Sequence, residues 1–374
     1  MLRSFLFLVF ALTTQSLFAQ SPLKIIKATS RSVSINDGGF LDKNSWNLSP
    51  KARPDIYTAY RTRSTKYVTF YTDIDSIRVK LKPGRQYDFI ILLNNKDSCY
   101  TRIESAMPKT LAAKGPATHD TIPFTLTNEE AIHVRSLVND TDTLDLHFDI
   151  SSFNFRLTKD FLQKNKGYKI TKLQMGTLVW NNPTVGATDR TATGMDGRFG
   201  WNLFENKVVE IDYDHSILVI HSSLPQKPKG YNRSKLAFQR SYPCIYATIS
   251  INGKNYSGYS LLDTGSGADI FLDSAWRSTQ NFPTDLPLIK TITVHDARGT
   301  PYETKVVSSP LITLNGLQLT NIPTHLLPRG NPAGFTVNLL GNALLKRFNT
   351  LLDFKHDYVY LKPNHFTSTS LPAL

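Results

Sequence analysis

Asp263-Thr264-Gly265-Ser266 stands between Leu261-Leu262 and Ile270-Phe271, so an acid sits at the mouth of an apolar strand. Burying a carboxylate there is costly unless hydrogen bonds or a reaction hold it in place. The next residues supply what such an acid needs: a Thr264 hydroxyl, a Gly265 turn that a Cβ would block, and a second donor at Ser266. Hydrogen bonds from Thr264 and Ser266 are expected to favour the ionised form of Asp263. The chemistry to expect of a carboxylate held this way is proton transfer to and from a bound water.

A second acid follows from an internal repeat. Sliding the chain by 114 residues puts Asp149 on Asp263, Ser152 on Ser266 and Leu157 on Phe271. A shift of 141 puts Phe199-Gly200 on Leu340-Gly341, Asp212 on Asp353 and His215 on His356. Each copy thus reads as an acid loop, then an apolar-Gly segment, then a hairpin. The second copy holds 27 more residues between its Asp and its Gly. In the first copy Ile150 and Ser151 stand where the second has Thr264 and Gly265.

The Asp-Thr-Gly loop followed by a hydrophobic-hydrophobic-Gly segment, in two copies over about residues 120 to 363, resembles the pepsin-like and retroviral-type aspartic proteases. With its N-terminal segment, the chain resembles the bacterial exported members of that group. The resemblance implies an all-β, bilobal acid protease fold in which Asp149 and Asp263 share one water across a pseudo-twofold axis. Like-charge repulsion then keeps one of them protonated while the other ionises, the arrangement for which aspartic proteases are the standard example. It implies an aspartic endopeptidase acting at acid pH on a peptide or protein, with Thr264, Gly265 and Ser266 supporting the loop and neither metal nor other cofactor taking part. If Asp149 is displaced, two readings replace this one: a homodimer paired through its second lobes, or a pseudoprotease that binds peptides without cutting them.

Composition fits a folded, strand-rich chain. Of 374 residues 40% are hydrophobic and 20% charged, with 20 Gly and 20 Pro, which favours strands and turns over long helices. The formal charge of +13 is spread along the chain without a basic run, so nucleic acid is not an expected partner. Cys99 and Cys244 fall in different expected domains and are read as buried, unpaired thiols. Residues 1–19 pair a basic start with an apolar run and Leu17-Phe18-Ala19, a signal-peptide pattern that predicts an exported, periplasmic or secreted protein. No later stretch reaches the roughly 18 apolar residues of a transmembrane helix.

The elements that must position the acids follow from pattern. Residues 20–115 read as an N-terminal β meander with strands at 66–72, 76–82, 87–93 and 98–103. Its Asp73, Asp75 and Asp97 lie at turns, where acids face water or cap the chain. After a linker, residues 120–223 form the first lobe, with a strand over 144–148 delivering Asp149 and a short helix over 159–164. Only 51 residues separate Asp149 from Gly200, too few for a full substrate-covering hairpin. Residues 224–234 connect the lobes, and 235–374 form the second, where Asn252-Gly253 predicts a tight hairpin. Residues 291–296 and 300–307 flank Ala297-Arg298-Gly299 as a candidate flap over the site. His215 and His356 are expected to face solvent in equivalent turns, and His295-Asp296 to be polar surface.

Overall fold

The computed structural model describes residues 22–107, 118–189, 191–225, 229–295, 301–329, 331 and 333–367. The sequence-read signal segment, 1–19, lies outside them. The described chain is mostly β and falls into two compact units, one of residues up to 59 with 64–105, the other of 60–63 with 106 onward.

In the first unit, alternation does what the sequence predicts: Ile77, Val79 and Leu81 point inward while their neighbours are exposed. The strands are not a single meander, however. They form two four-stranded sheets, one ordered Phe40–Asn47, Ser32–Asp37, Lys66–Tyr71, Ser76–Leu81, the other Lys24–Ala28, Gln86–Leu93, Asp97–Ser105, Asp55–Ala59. The Pro83-Gly84 turn carries the chain from one sheet to the other, with Gly84 at φ +68°, because both sheets must bury their apolar faces in one core around Ile35, Phe70, Phe89 and Cys99. Asp73 and Asp75 cap backbone: Asp73 accepts from the Thr29 N–H at 2.9 Å and Asp75 from the Ser76 N–H at 2.7 Å.

The second unit carries the repeat. The hairpin Ile132–Val138 and Asp142–Phe148 is followed across its sheet by Gly197–Phe199, Phe155–Thr158 and Val185–Thr188. Its counterpart is Tyr242–Ile251 and Lys254–Asp263, then Asn338–Gly341, Ile270–Leu272 and Leu317–Leu326. In both, the strand that delivers the acid pairs in parallel with the strand that delivers the glycine. Asn252 and Gly253, at φ +49° and +79°, make the predicted hairpin turn. The short helix forms at Lys159–Lys164, capped by Thr158 Oγ1 accepting from the Phe161 N–H.

A six-stranded sheet joins the two lobes, and its centre fixes the symmetry. Val208–Asp212 pairs antiparallel with Phe348–Asp353, so that Val209 faces Leu352, Glu210 faces Leu351 and Ile211 faces Thr350. The shift of 141 turns the first of these pairs into the third and the middle pair into itself. A twofold axis therefore passes through Glu210 and Leu351. His119–Pro123, read from sequence as the start of the first lobe, is an outer strand of this sheet, and Asn232–Lys235 at the end of the connecting segment is the other.

Aromatic side chains fill the core of the first lobe. Phe148 stacks on Phe199 with ring centroids 5.1 Å apart, and Phe204 meets both edge-on. Arg61 is buried in the same unit, 2.7 Å from both Glu205 and Asp357, donating to Phe354 O, with its guanidinium 3.8 Å from the Phe238 ring. Cys99 and Cys244 are both buried and unpaired. Among the described residues no helix is long and apolar enough to cross a membrane.

Candidate active site

Two crossings of backbone create the site. Gly200 and Gly341 lie against the acid loops so closely that an added Cβ would stand 2.0 Å from Ser152 O in one lobe and 2.2 Å from Ala268 O in the other. Only glycine allows that approach. Hydrogen bonds fix each crossing: the Asp149 N–H donates to Phe199 O at 3.0 Å, and the Asn342 N–H to Ser266 O at 2.6 Å. The two acids thus leave equivalent strand ends and face each other across the axis.

Thr264 ties the loops together. Its Oγ1 donates to Phe148 O and accepts from the Ile150 N–H, both at 2.9 Å. No reciprocal bond exists, because Ile150 has no hydroxyl and is buried in the core. The expected roles of Thr264 and Ser266 as donors to Asp263 are therefore corrected. Thr264 spends its hydroxyl on the opposite lobe, and Ser266 Oγ accepts from the Ala268 N–H at 3.4 Å. Asp263 is served instead by the Gly265 N–H at 3.0 Å and by Ser151 Oγ at 3.2 Å.

Asp149 is more heavily solvated by protein. Its Oδ1 accepts from the Ser151 N–H at 2.9 Å and from Ser151 Oγ at 2.7 Å, while Oδ2 pairs with Arg198 Nη1 at 2.8 Å. Ser151, which stands where the Asp-Thr-Gly pattern has Gly, thereby puts one oxygen within hydrogen-bond distance of both carboxylates. Its backbone N–H plays for Asp149 the part that the Gly265 N–H plays for Asp263. Gly265 keeps the pair close: a Cβ there would stand 3.1 Å from Asp149 Cγ and 3.2 Å from Asp263 Oδ1.

Electrostatics follow from this geometry. Burial and then the Asp149 charge push the Asp263 carboxyl up to about 7, partly offset by the Gly265 N–H, Ser151 and Arg198. Burial lowers the pKa of His147, whose Nε2 lies 3.4 Å from Thr264 O, so this imidazole is held neutral. Burial and the Asp149 charge raise the Tyr242 phenol.

The sequence reading missed Arg198, His147 and Tyr242, which line a cavity of about 250 Å³ together with the two acids. The repeat contained the signal. Arg198 is the counterpart of Leu339 and His147 of Leu261, and all four line this cavity. The comparison of polar with apolar at matched positions marks the first lobe as chemically specialised.

A larger cavity of about 780 Å³ opens from Gly265 and Ser266. One wall is the predicted hairpin, now Leu288–His295 paired with Pro301–Leu314, which contributes Ile292, Val294 and Val306. Its tip, Ala297-Arg298-Gly299, and Asp296 lie outside the described residues. The first-lobe hairpin Lys172–Met175 and Leu178–Asn181 lines neither cavity, in keeping with the short spacing read from sequence. His325 also lines the larger cavity; its ring packs on Phe271 at 4.5 Å, and burial with the nearby Lys290 lowers its pKa to about 4. His215 and His356 are exposed turn residues, each with Nδ1 2.8 Å from the acid three residues earlier, Asp212 or Asp353.

No family model matches this chain, and no curated protein matches it. Among solved structures, the crystal structure of aspartic proteinase from Irpex lacteus is similar at a TM-score of 0.47 and 15% identity, covering 67% of this chain and 99% of that one.

Proposed function

We propose that this chain is an aspartic-type endopeptidase in which Asp149 and Asp263 of one molecule activate a single water. The observation that carries the reading is Ser151 Oγ, 2.7 Å from one carboxylate and 3.2 Å from the other. A point within hydrogen-bond reach of both acids is where an attacking water must sit, and rotation of the Ser151 side chain about χ1 leaves it free. Asp149 takes a proton from that water as it attacks the peptide carbonyl, and Asp263 gives its proton to the carbonyl oxygen. The gem-diol then collapses: Asp149 passes its proton to the departing nitrogen, and Asp263 regains one from a gem-diol hydroxyl. A substrate strand lies in the larger cavity beneath the Leu288–Leu314 hairpin. The protein works outside the cytoplasm, as the pattern in residues 1–19 predicts, and a single chain supplies both acids, so dimerisation through second lobes is not required.

A second reading has its own support. The Arg198 ion pair and the Ser151 hydroxyl together satisfy the carboxylates without a water, as a peptide-binding pseudoprotease would allow. Cleavage of a mixed peptide library from acid to neutral pH, by wild type, Asp149→Ala and Asp263→Ala, separates the two. Loss of about 10³-fold or more in both variants is expected of the single-chain dyad. Loss in Asp263→Ala alone points to paired second lobes, and a folded wild type that binds peptides but cleaves none establishes the pseudoprotease.

A further inference from the structure

Resting on the two-carboxylate reading, we propose that Arg198 is a positioning residue that makes the pair asymmetric, holding Asp149 ionised so that the single proton resides on Asp263. In a symmetric dyad the proton is shared between equivalent acids. Here the backbone is symmetric and the side chains are not. Arg198 and Leu339 occupy matched places beside the two acids and line the same cavity. Arg198 Nη1 stands 2.8 Å from Asp149 Oδ2, whereas an alkyl group can offer Asp263 nothing equivalent.

The hydrogen bonds point the same way. Asp149 accepts from the Ser151 N–H, Ser151 Oγ and Arg198, a full set of donors for an ionised carboxylate. Ser151 has one hydroxyl proton and two carboxylate neighbours, so it can donate to only one of them. With that proton on the shorter bond to Asp149, Asp263 keeps only the Gly265 N–H as a donor, and its 3.2 Å contact with Ser151 Oγ is satisfied when Asp263 is protonated and donates in the reverse direction. One proton on Asp263 therefore completes the network; a proton on Asp149 would set an O–H against the donors around it.

The other ionisable groups nearby do not change this assignment. Burial lowers the pKa of His147, on the strand before Asp149, and so disfavours a second cation there. Arg156, the cross-strand partner of Arg198, is held by Phe153 O and Ala187 O. Tyr242, from the second-lobe hairpin, stays protonated, and Glu129 is bonded to Thr193. Among the described residues, Arg198 is the cation that contacts the pair. Its effect is to assign roles, Asp149 as base and Asp263 as acid, before substrate arrives.

The test is carbon-13 NMR of the aspartate carboxyls in the full chain, assigned with Asp149→Asn and Asp263→Asn, near pH 5. In wild type the Asp263 carboxyl is expected at its protonated shift and Asp149 at its ionised shift. In Arg198→Leu, which copies the second lobe, both are expected to move to intermediate shifts as the proton is shared. Arg198→Lys, which keeps a cation within reach, should retain the wild-type pattern and serves as the comparison if the Leu variant fails to fold. Averaged shifts in wild type, a protonated Asp149, an Arg198→Leu pair that keeps wild-type states, or an Arg198→Lys pair that loses them, each overturns the proposal. Peptide cleavage measured alongside judges the hydrolase reading separately: a wild type that cleaves nothing removes that reading while the carboxyl shifts still decide the role of Arg198.

Discussion

Thr264 of the second lobe reaches across the axis to Ile150 of the first, accepting its N–H at 2.9 Å while donating to Phe148 O at the same distance. One buried hydroxyl thus satisfies two backbone groups of the opposite acid loop, and the partner that symmetry would supply is missing. Thr264→Val keeps the shape and removes both bonds, leaving a buried donor and a buried acceptor unpaired. The expected cost is about 2–4 kcal/mol, read as a lowered denaturation midpoint. Ile150→Thr, which restores the missing hydroxyl, should leave the fold intact.

How far the sequence revealed this arrangement depends on the kind of interaction. Gly200 and Gly341 were legible because backbone crossing tolerates only glycine, and the two acids were legible because the repeat preserves their distance from the strands that deliver them. The sheet exchange at Pro83-Gly84 was not, since alternation gives the face of a strand and never its neighbour. Nor were the bonds of Thr264 and Ser266: a hydroxyl beside a carboxylate in sequence satisfies whichever group the fold brings nearest. Arg198 was hidden in a strand that reads as ordinary pattern, visible only when set against Leu339. Lone charges in short strands carry no period, so composition and alternation cannot find them.

Gly200→Ala and Gly341→Ala should be equally disruptive, although they lie in lobes of unequal motif quality. In both, the new methyl would overlap a backbone carbonyl oxygen by more than an ångström, and the obstacle is main chain that cannot rotate away. Each is expected to destabilise the protein by at least about 3 kcal/mol or to prevent folding. Thermal melting with expression yield measures this, and a well-folded Gly341→Ala would refute the crossing described above.

The raised pKa of Asp263 sets a pH window. In the proposed mechanism hydrolysis needs its proton, so activity should fall as pH rises through about 7. Stability has the same sign. The folded state binds this proton more tightly than the unfolded chain, where an Asp titrates near 3.9, so the contribution is fully present below about pH 4 and lost as pH rises to about 7. Asp263→Asn, which stays neutral, should melt close to wild type at pH 4 and gain up to about 4 kcal/mol on it at pH 8. Melting curves of the two proteins at both pH values provide the check.

Arg61 tests whether residues 60–63 are integral to the second unit. Its guanidinium satisfies Glu205 and Asp357, and removing it leaves the buried Glu205 carboxylate without this partner. Arg61→Ala is expected to cost about 3–5 kcal/mol. Arg61→Lys should recover only part, since one ammonium cannot reproduce two forked contacts and the Phe238 ring stacking. Chemical denaturation of both variants measures the difference.

Gly265→Ala separates active-site geometry from folding. The new methyl would meet His147 Cε1 at 3.0 Å, Asp149 Cγ at 3.1 Å and Asp263 Oδ1 at 3.2 Å. All three are side-chain atoms, able to shift by a few tenths of an ångström, so the backbone crossing survives and the stability loss should stay near 1 kcal/mol. The same shift parts the two carboxylates and tilts the Asp263 oxygen that accepts the Gly265 N–H. A misplacement of about 1 Å costs about 10²-fold in rate, so a shift of a few tenths of an ångström is expected to cost less than that. The prediction is a kcat reduced by about 10-fold and by no more than about 10²-fold with KM little changed, because the larger cavity proposed for the substrate is walled mainly by other residues. Full activity in this variant would show that the carboxylates need not stand within reach of a common oxygen, and the single-water mechanism would have to be abandoned.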